Sequence, residues 1–180
     1  RKPEELGQEA AIILKAVAAL KKRRDVDPKK IFLVSYGGAS ACALEALRSK
    51  EVVGWIAVNG ITAGLPEPPE EAMKAVLDAV DTPVLAIWGN DGTDPSLEKR
   101  RSFGEKIGTA GKPGQVTTLP LAKVDFQMRL TVGERLTTLI EEDSMLMPAG
   151  ANQEVWVSST GLALGYARGI ARWLRQQLRK

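Results

Sequence analysis

Near the start of the chain Leu6, Ala10, Ile13, Leu14, Val17 and Leu20 recur at intervals of three and four. Residues so spaced share one helical face, so the pattern predicts an amphipathic helix over 3–23. Lys21, Lys22, Arg23 and Arg24 then supply cations where they complement the helix dipole. After a turn at Asp25-Val26-Asp27-Pro28 the pattern changes. Ile31-Phe32-Leu33-Val34 is a short apolar run, a stretch of mostly small residues follows, and 41–47 returns to helical character. Residues 52–58 and 83–88 are two more apolar runs, closed by Asn59-Gly60 and by the polar loop 89–95. Between them lie a Pro-rich loop at 62–69 and a helix over 70–80, with Ala72, Val76 and Val80 on one side. Ser96 is placed to cap a helix reaching about Ile107. Residues 115–119 read as a fourth strand, about 133–142 as a helix and 154–158 as a short strand. Residues 165–178 read as a last helix with Ala167, Ile170, Ala171, Leu174 and Leu178 on its apolar face. Short apolar strands alternating with helices predict an α/β fold, a mostly parallel sheet with helices on both faces, in one domain over 1–180.

Composition narrows the chemistry more than the fold. The chain has 180 residues and no histidine. That excludes a histidine base, a histidine-ligated metal and a Ser-His-Asp triad made within the chain. A single cysteine, Cys42, excludes an internal disulfide and a cysteine metal cluster. The net charge of +3 is spread along the chain, so no nucleic-acid partner is expected. No apolar run approaches the ~20 residues of a membrane span. Arg1-Lys2-Pro3-Glu4-Glu5 does not read as a signal peptide. The expectation is a soluble protein, with a cytoplasmic location favoured and neither metal nor cofactor required.

The candidate chemistry sits in the strand–turn–helix stretch 31–47, and two functions fit it. One is a nucleophile elbow, with Ser35 exposed as nucleophile, Gly37 and Gly38 leaving room for a tight backbone, and N–H groups of Tyr36, Gly37 and Gly38 facing an oxyanion. The other is an anion cradle made by the N–H groups of 37–40. Neither a Gly-Lys-Ser/Thr phosphate loop nor a Gly-x-Gly-x-x-Gly fingerprint accompanies it. Ser40 and Cys42 read as small helix residues packed on the sheet, and Trp55, Trp88, Trp156 and Trp173 as core residues.

The stretch 25–39, Asp-Val-Asp-Pro-Lys-Lys-Ile-Phe-Leu-Val-Ser-Tyr-Gly-Gly-Ala, resembles the approach to the nucleophile elbow of the α/β-hydrolases. In that family an Asp-Pro turn leads into an apolar strand, then Gly-x-Ser-x-Gly-Gly and a small-residue helix. Residues 53–60 are similar to the next strand. Residues 82–91 are similar to the strand whose following loop carries the triad acid, and the last helix matches the family's C-terminal helix. The resemblance runs from about Glu5 to Gly92 and is looser beyond. It implies a serine ester hydrolase fold lacking its first strands, with Ser35 as nucleophile, Asp94 or Asp91 as acid, and a small-molecule ester or acyl group as ligand.

The departures from that pattern set the functional expectation. Aligning Gly37-Gly38 with the family's paired glycines puts the nucleophile at Ser35 and leaves the strand about two residues short; aligning the strand puts Gly37 at the nucleophile position. Val124 or Leu162 stands where the family has histidine. A serine needs a base at neutral pH, so the leading expectation is a catalytically silent hydrolase-like chain. The alternatives are an esterase using Lys123 or a partner-supplied histidine, and a small-anion or nucleotide-binding module. Without early strands the sheet starts at Ile31 with an open apolar edge, which predicts self-association or a partner chain covering it.

Overall fold

A computed structural model of the chain describes residues 3–60, 68–90, 97–122 and 164–179. Its centre is a sheet of four strands, β1 (Phe32–Tyr36), β2 (Gly54–Val58), β3 (Val84–Asn90) and β4 (Val116–Ala122). All neighbours pair in parallel, and the spatial order is the chain order, β1-β2-β3-β4. Five α-helices accompany the strands among the described residues: α1 (Pro3–Lys21), α2 (Ala39–Ala46), α3 (Glu70–Ala79), α4 (Leu97–Ala110) and α5 (Leu164–Gln177).

Strand order dictates where the helices lie. Parallel crossovers share one hand, so connections stepping in one direction across a sheet leave their helices on the same face. The packing agrees. Leu44 of α2, Met73, Val76 and Leu77 of α3, and Phe103 and Ile107 of α4 share one core with Trp55, Ala57, Val84, Ala86 and Trp88. Val17 of α1 joins that core beside Ile31. Side chains alternate across the sheet, so Ile56, Val58, Leu85 and Ile87 face the other way. They are covered by α5 through Ile170, Trp173 and Leu174. Phe32 meets Trp173 edge to face, with ring centroids 6.0 Å apart. The α/β fold with helices on both faces of a parallel sheet is therefore as the sequence predicts.

Several boundaries and faces differ from expectation. β1 continues through Ser35 and Tyr36, which pair with Ala57 and Val58. α2 starts at Ala39 rather than 41, directly after the glycine pair. On α3 it is Met73, Val76 and Leu77 that are buried, while Ala72 is exposed. The sheet lies under the larger side chains, and an alanine spacing alone does not reveal this. On α5 Trp173 is the buried residue among positions 167–177, while Ala167 is exposed, as is Leu178 just past the helix end. β4 runs past Leu119 through Pro120, which pairs with Trp88; a proline is tolerated there because no further strand pairs with β4 among the described residues. The expected elements at 133–142 and 154–158 lie outside the described residues, as does Trp156.

Candidate functional site

Parallel strands put all their carboxyl ends at one edge, the usual place for sites in open α/β folds. At that edge β1 breaks into α2 through Gly37 and Gly38. Gly37 has φ of 56°, the left-handed region that a residue with a Cβ enters at a cost. Its N–H donates to Val58 O at 2.9 Å, and its carbonyl accepts from the Ser40 N–H at 3.0 Å. The tip of the turn therefore carries no side chain. Two of the N–H groups expected in an anion cradle, those of Gly37 and Ser40, are committed to carbonyls within the protein.

Ser35 lies two residues earlier, inside β1, and is only 5% exposed. An exposed Ser35 at the turn is thus corrected to a buried one in the strand. Its Oγ accepts a hydrogen bond from Trp55 Nε1 at 2.9 Å and shares another with Ser40 Oγ at 2.9 Å. Ser40 is fully buried on α2. The hydroxyl pair occupies the space between sheet and helix, and it satisfies the indole donor that burial of Trp55 would otherwise orphan. Tyr36, the last residue of β1, is 43% exposed.

The other expected site residues, Asp91, Asp94 and Lys123, lie outside the described residues. β3 ends at Asn90 and β4 at Ala122, at the same end of the sheet as Gly37. Two residues at this end escape the sequence reading. Asn59 is buried with φ of 47°; its N–H donates to Ile87 O at 2.8 Å and its Oδ1 accepts from the Gly89 N–H at 3.0 Å. It stitches the ends of β2 and β3 together. The Asn-Gly step after an apolar run was the available signal, since Asn tolerates the left-handed region. Arg100 on α4 is fully buried and donates from Nη2 to Gly89 O at 3.3 Å. Nothing in Lys99-Arg100-Arg101 separates it from its solvated neighbours.

The electrostatically perturbed carboxylates sit at the opposite end. Asp25 is held below its ordinary value by the Arg23 guanidinium, Asp27 by the Lys29 N–H and Asp81 by the Lys112 ammonium. Asp25 and Asp27 precede β1 and Asp81 precedes β3, so all three lie toward the amino ends of the strands. A groove of about 360 Å³, lined by Lys29, Lys30, Phe32, Val53, Pro83, Gln177 and Leu178, is at that end too. The described chemistry is therefore not concentrated around the Gly37 turn.

Comparison of the chain with protein-family models, with curated proteins and with solved structures finds no match in any of the three. No helix among the described residues is long and apolar enough to cross a membrane.

Proposed function

We propose that the chain is an α/β-hydrolase-like scaffold without ester-hydrolase activity of its own. The observation that carries this reading is Gly37 at the tip of the strand-to-helix turn, where an elbow nucleophile would stand. The strand-aligned comparison with the family puts Gly37 at the nucleophile position, and a residue of positive φ just before Gly38, the N-cap of α2, suits that alignment. Three segments resembling consecutive family strands are also consecutive neighbours in the sheet.

Chemistry points the same way. Ser35, the alternative nucleophile, is buried and its hydroxyl engages Trp55 and Ser40. The sequence has no histidine to deprotonate it. Loss of a triad member leaves roughly 10³–10⁴-fold over water in enzymes that keep their oxyanion hole and substrate binding, and here nucleophile and base are both lost. Such a scaffold acts through what its surface holds, with ester or acyl binding as the residual property to look for.

The test is labelling with a fluorophosphonate probe, alongside turnover of short acyl esters, for the parent chain and Ser35→Ala. Both proteins are expected to stay unlabelled and inert. Labelling of the parent that disappears in Ser35→Ala would overturn the reading and identify Ser35 as an activated nucleophile.

A further inference from the structure

Arg168, Arg172, Arg175 and Arg179 follow one another at intervals of four, three and four. On a helix that spacing makes a single row. Ile170, Trp173 and Leu174 pack on the sheet, so the row lies on the side of α5 turned away from it. The Leu178 N–H still bonds back to Leu174 O at 2.9 Å, which carries the row past the helix end to Arg179. Arg168 is engaged within the chain, whereas Arg172, Arg175 and Arg179 are exposed and form no ion pair among the described residues. From 164 to 180 there is no acidic residue, and this segment carries more positive charge than the net +3 of the whole chain. By contrast, α3 and α4 pair exposed cations with acids four residues away, as in Lys74–Asp78 at 2.9 Å and Arg101–Glu105 at 3.7 Å. Like charges at that spacing repel and weaken a helix. The helix dipole accounts for cations at the C-terminal end, Arg175 and Arg179, but not for Arg172. Past that end, Lys29 and Lys30 line the groove that Gln177 and Leu178 share. Asp27 answers one of them, its Oδ2 lying 3.4 Å from Lys30 Nζ.

We propose that the outer face of α5, continued by Lys29 and Lys30, binds the phosphate backbone of a nucleic acid. The basic residues are spread along the sequence, which argued against such a partner, but the fold gathers these five at one place. Guanidinium forks match phosphate oxygens two at a time, and arginine stands at every position of the row. At a rise of about 1.5 Å per residue the charges recur every ~5 Å along a straight line, which suits a linear polyanion with regularly spaced phosphates. A membrane surface is the poorer fit. An interfacial helix needs its apolar face for the acyl chains, and α5 holds that face against the sheet. Contacts to phosphates carry no sequence information directly, so binding is expected without base preference. The inference stands whether or not the chain has hydrolase activity.

The test is fluorescence polarisation of a short labelled DNA duplex, and of one of its strands, titrated with the full chain from low to physiological salt. The parent is expected to bind, more weakly as salt rises. The variant carrying Arg172→Gln, Arg175→Gln and Arg179→Gln should bind about tenfold more weakly or worse at low salt, and its slope of log affinity against log salt should be shallower by about 2–3. The control carrying Lys15→Gln, Lys74→Gln and Lys99→Gln loses the same charge from exposed positions on helices of the other sheet face and should behave as the parent. If the arginine variant does not fold by circular dichroism, the three single substitutions decide, each lowering the slope by about 1. Binding of either nucleic acid with these losses supports the proposal, and the tighter of the two identifies the form the face takes. A parent that does not bind at low salt, an arginine variant that binds as the parent does, or a lysine control that loses as much would each overturn it. So would equally tight binding to vesicles rich in phosphatidylserine, which would mark the face as directed to a membrane.

Discussion

Trp55 Nε1 reaches from β2 to the neighbouring β1 and donates a hydrogen bond to Ser35 Oγ at 2.9 Å. Both residues are buried, so the bond is worth most when judged by its loss. Ser35→Ala strands the indole donor in the core and is expected to cost about 1–3 kcal/mol. Trp55→Phe removes the donor together with packing volume. Because the two share one interaction, the double variant should be less destabilised than the sum of the singles, a coupling of about 0.5 kcal/mol or more. Urea denaturation of the four proteins measures it, and strict additivity would contradict a shared bond. Trp88 supplies a contrast, since its Nε1 is buried with no partner among the described residues. There Trp→Phe removes an unsatisfied donor and leaves only the volume term.

Placing a hydroxyl at the turn tip tests the silent-scaffold reading from the other side. Gly37→Ser puts a Cβ at φ of 56° and is expected to lower stability by about 1–2 kcal/mol. No fluorophosphonate labelling should appear, because a tip serine without a base remains a poor nucleophile. Labelling of Gly37→Ser would reveal a base in the chain, and Lys123 would be the first to replace.

Three glycines should respond to alanine with different signs and sizes. A Cβ on Gly60 would come within 1.8 Å of Phe103 Cδ1, and one on Gly54 within 2.7 Å of Phe32 and 2.9 Å of Trp173. Overpacking of this kind typically costs about 1–3 kcal/mol, with Gly60→Ala the worse because Phe103 is itself fully enclosed. Gly7, in α1, would meet nothing within 4 Å. Gly7→Ala should therefore stabilise the protein by up to about 1 kcal/mol through helix propensity. Denaturation midpoints rank the three, and a neutral Gly60→Ala would contradict the close approach to Phe103.

Acid should weaken the fold slightly through its exposed ion pairs. The folded-state values of Asp25, Asp27 and Asp81 lie below the ordinary 3.8. The unfolded chain then binds more protons across that interval, so stability rises with pH there. The contribution is fully present above 3.8 and is lost as the pH falls through the lower folded values. All three groups are exposed, so salt should shrink the effect. Urea midpoints measured across this range, with Asp81→Asn as the partner variant, check it: the variant should lose part of the slope at low salt and none of the stability contributed by the core.

The middle of the sheet was legible in the sequence because β2 and β3 are buried on both faces. Runs such as Trp55-Ile56-Ala57-Val58 and Val84-Leu85-Ala86-Ile87 have few other readings when flanked by helices. The end of β1 was less legible, since Ser35 and Tyr36 look like turn residues until Trp55 is known to supply the serine with a partner. The helix faces were blurred where alanine gave the spacing and Met73 or Trp173 gave the packing. Arg100 was invisible because a local charge run does not record which of its members turns inward. At the candidate site, sequence offered two alignments; what it did not reveal is that Ser35 is buried inside β1 and that Gly37 takes the positive φ of the turn.

A sheet whose spatial order repeats its chain order has a consequence for how it assembles. Each strand pairs with the one immediately before it in the sheet sequence, and the helix between them is the piece that packs over the join. Contacts of short sequence separation keep contact order low for a parallel fold and shorten the loop each new strand must close. During synthesis the nascent chain emerges amino end first, so β2 meets a finished β1, β3 a finished β2 and β4 a finished β3. Assembly can be vectorial, with every strand finding its template already made by the strand before it.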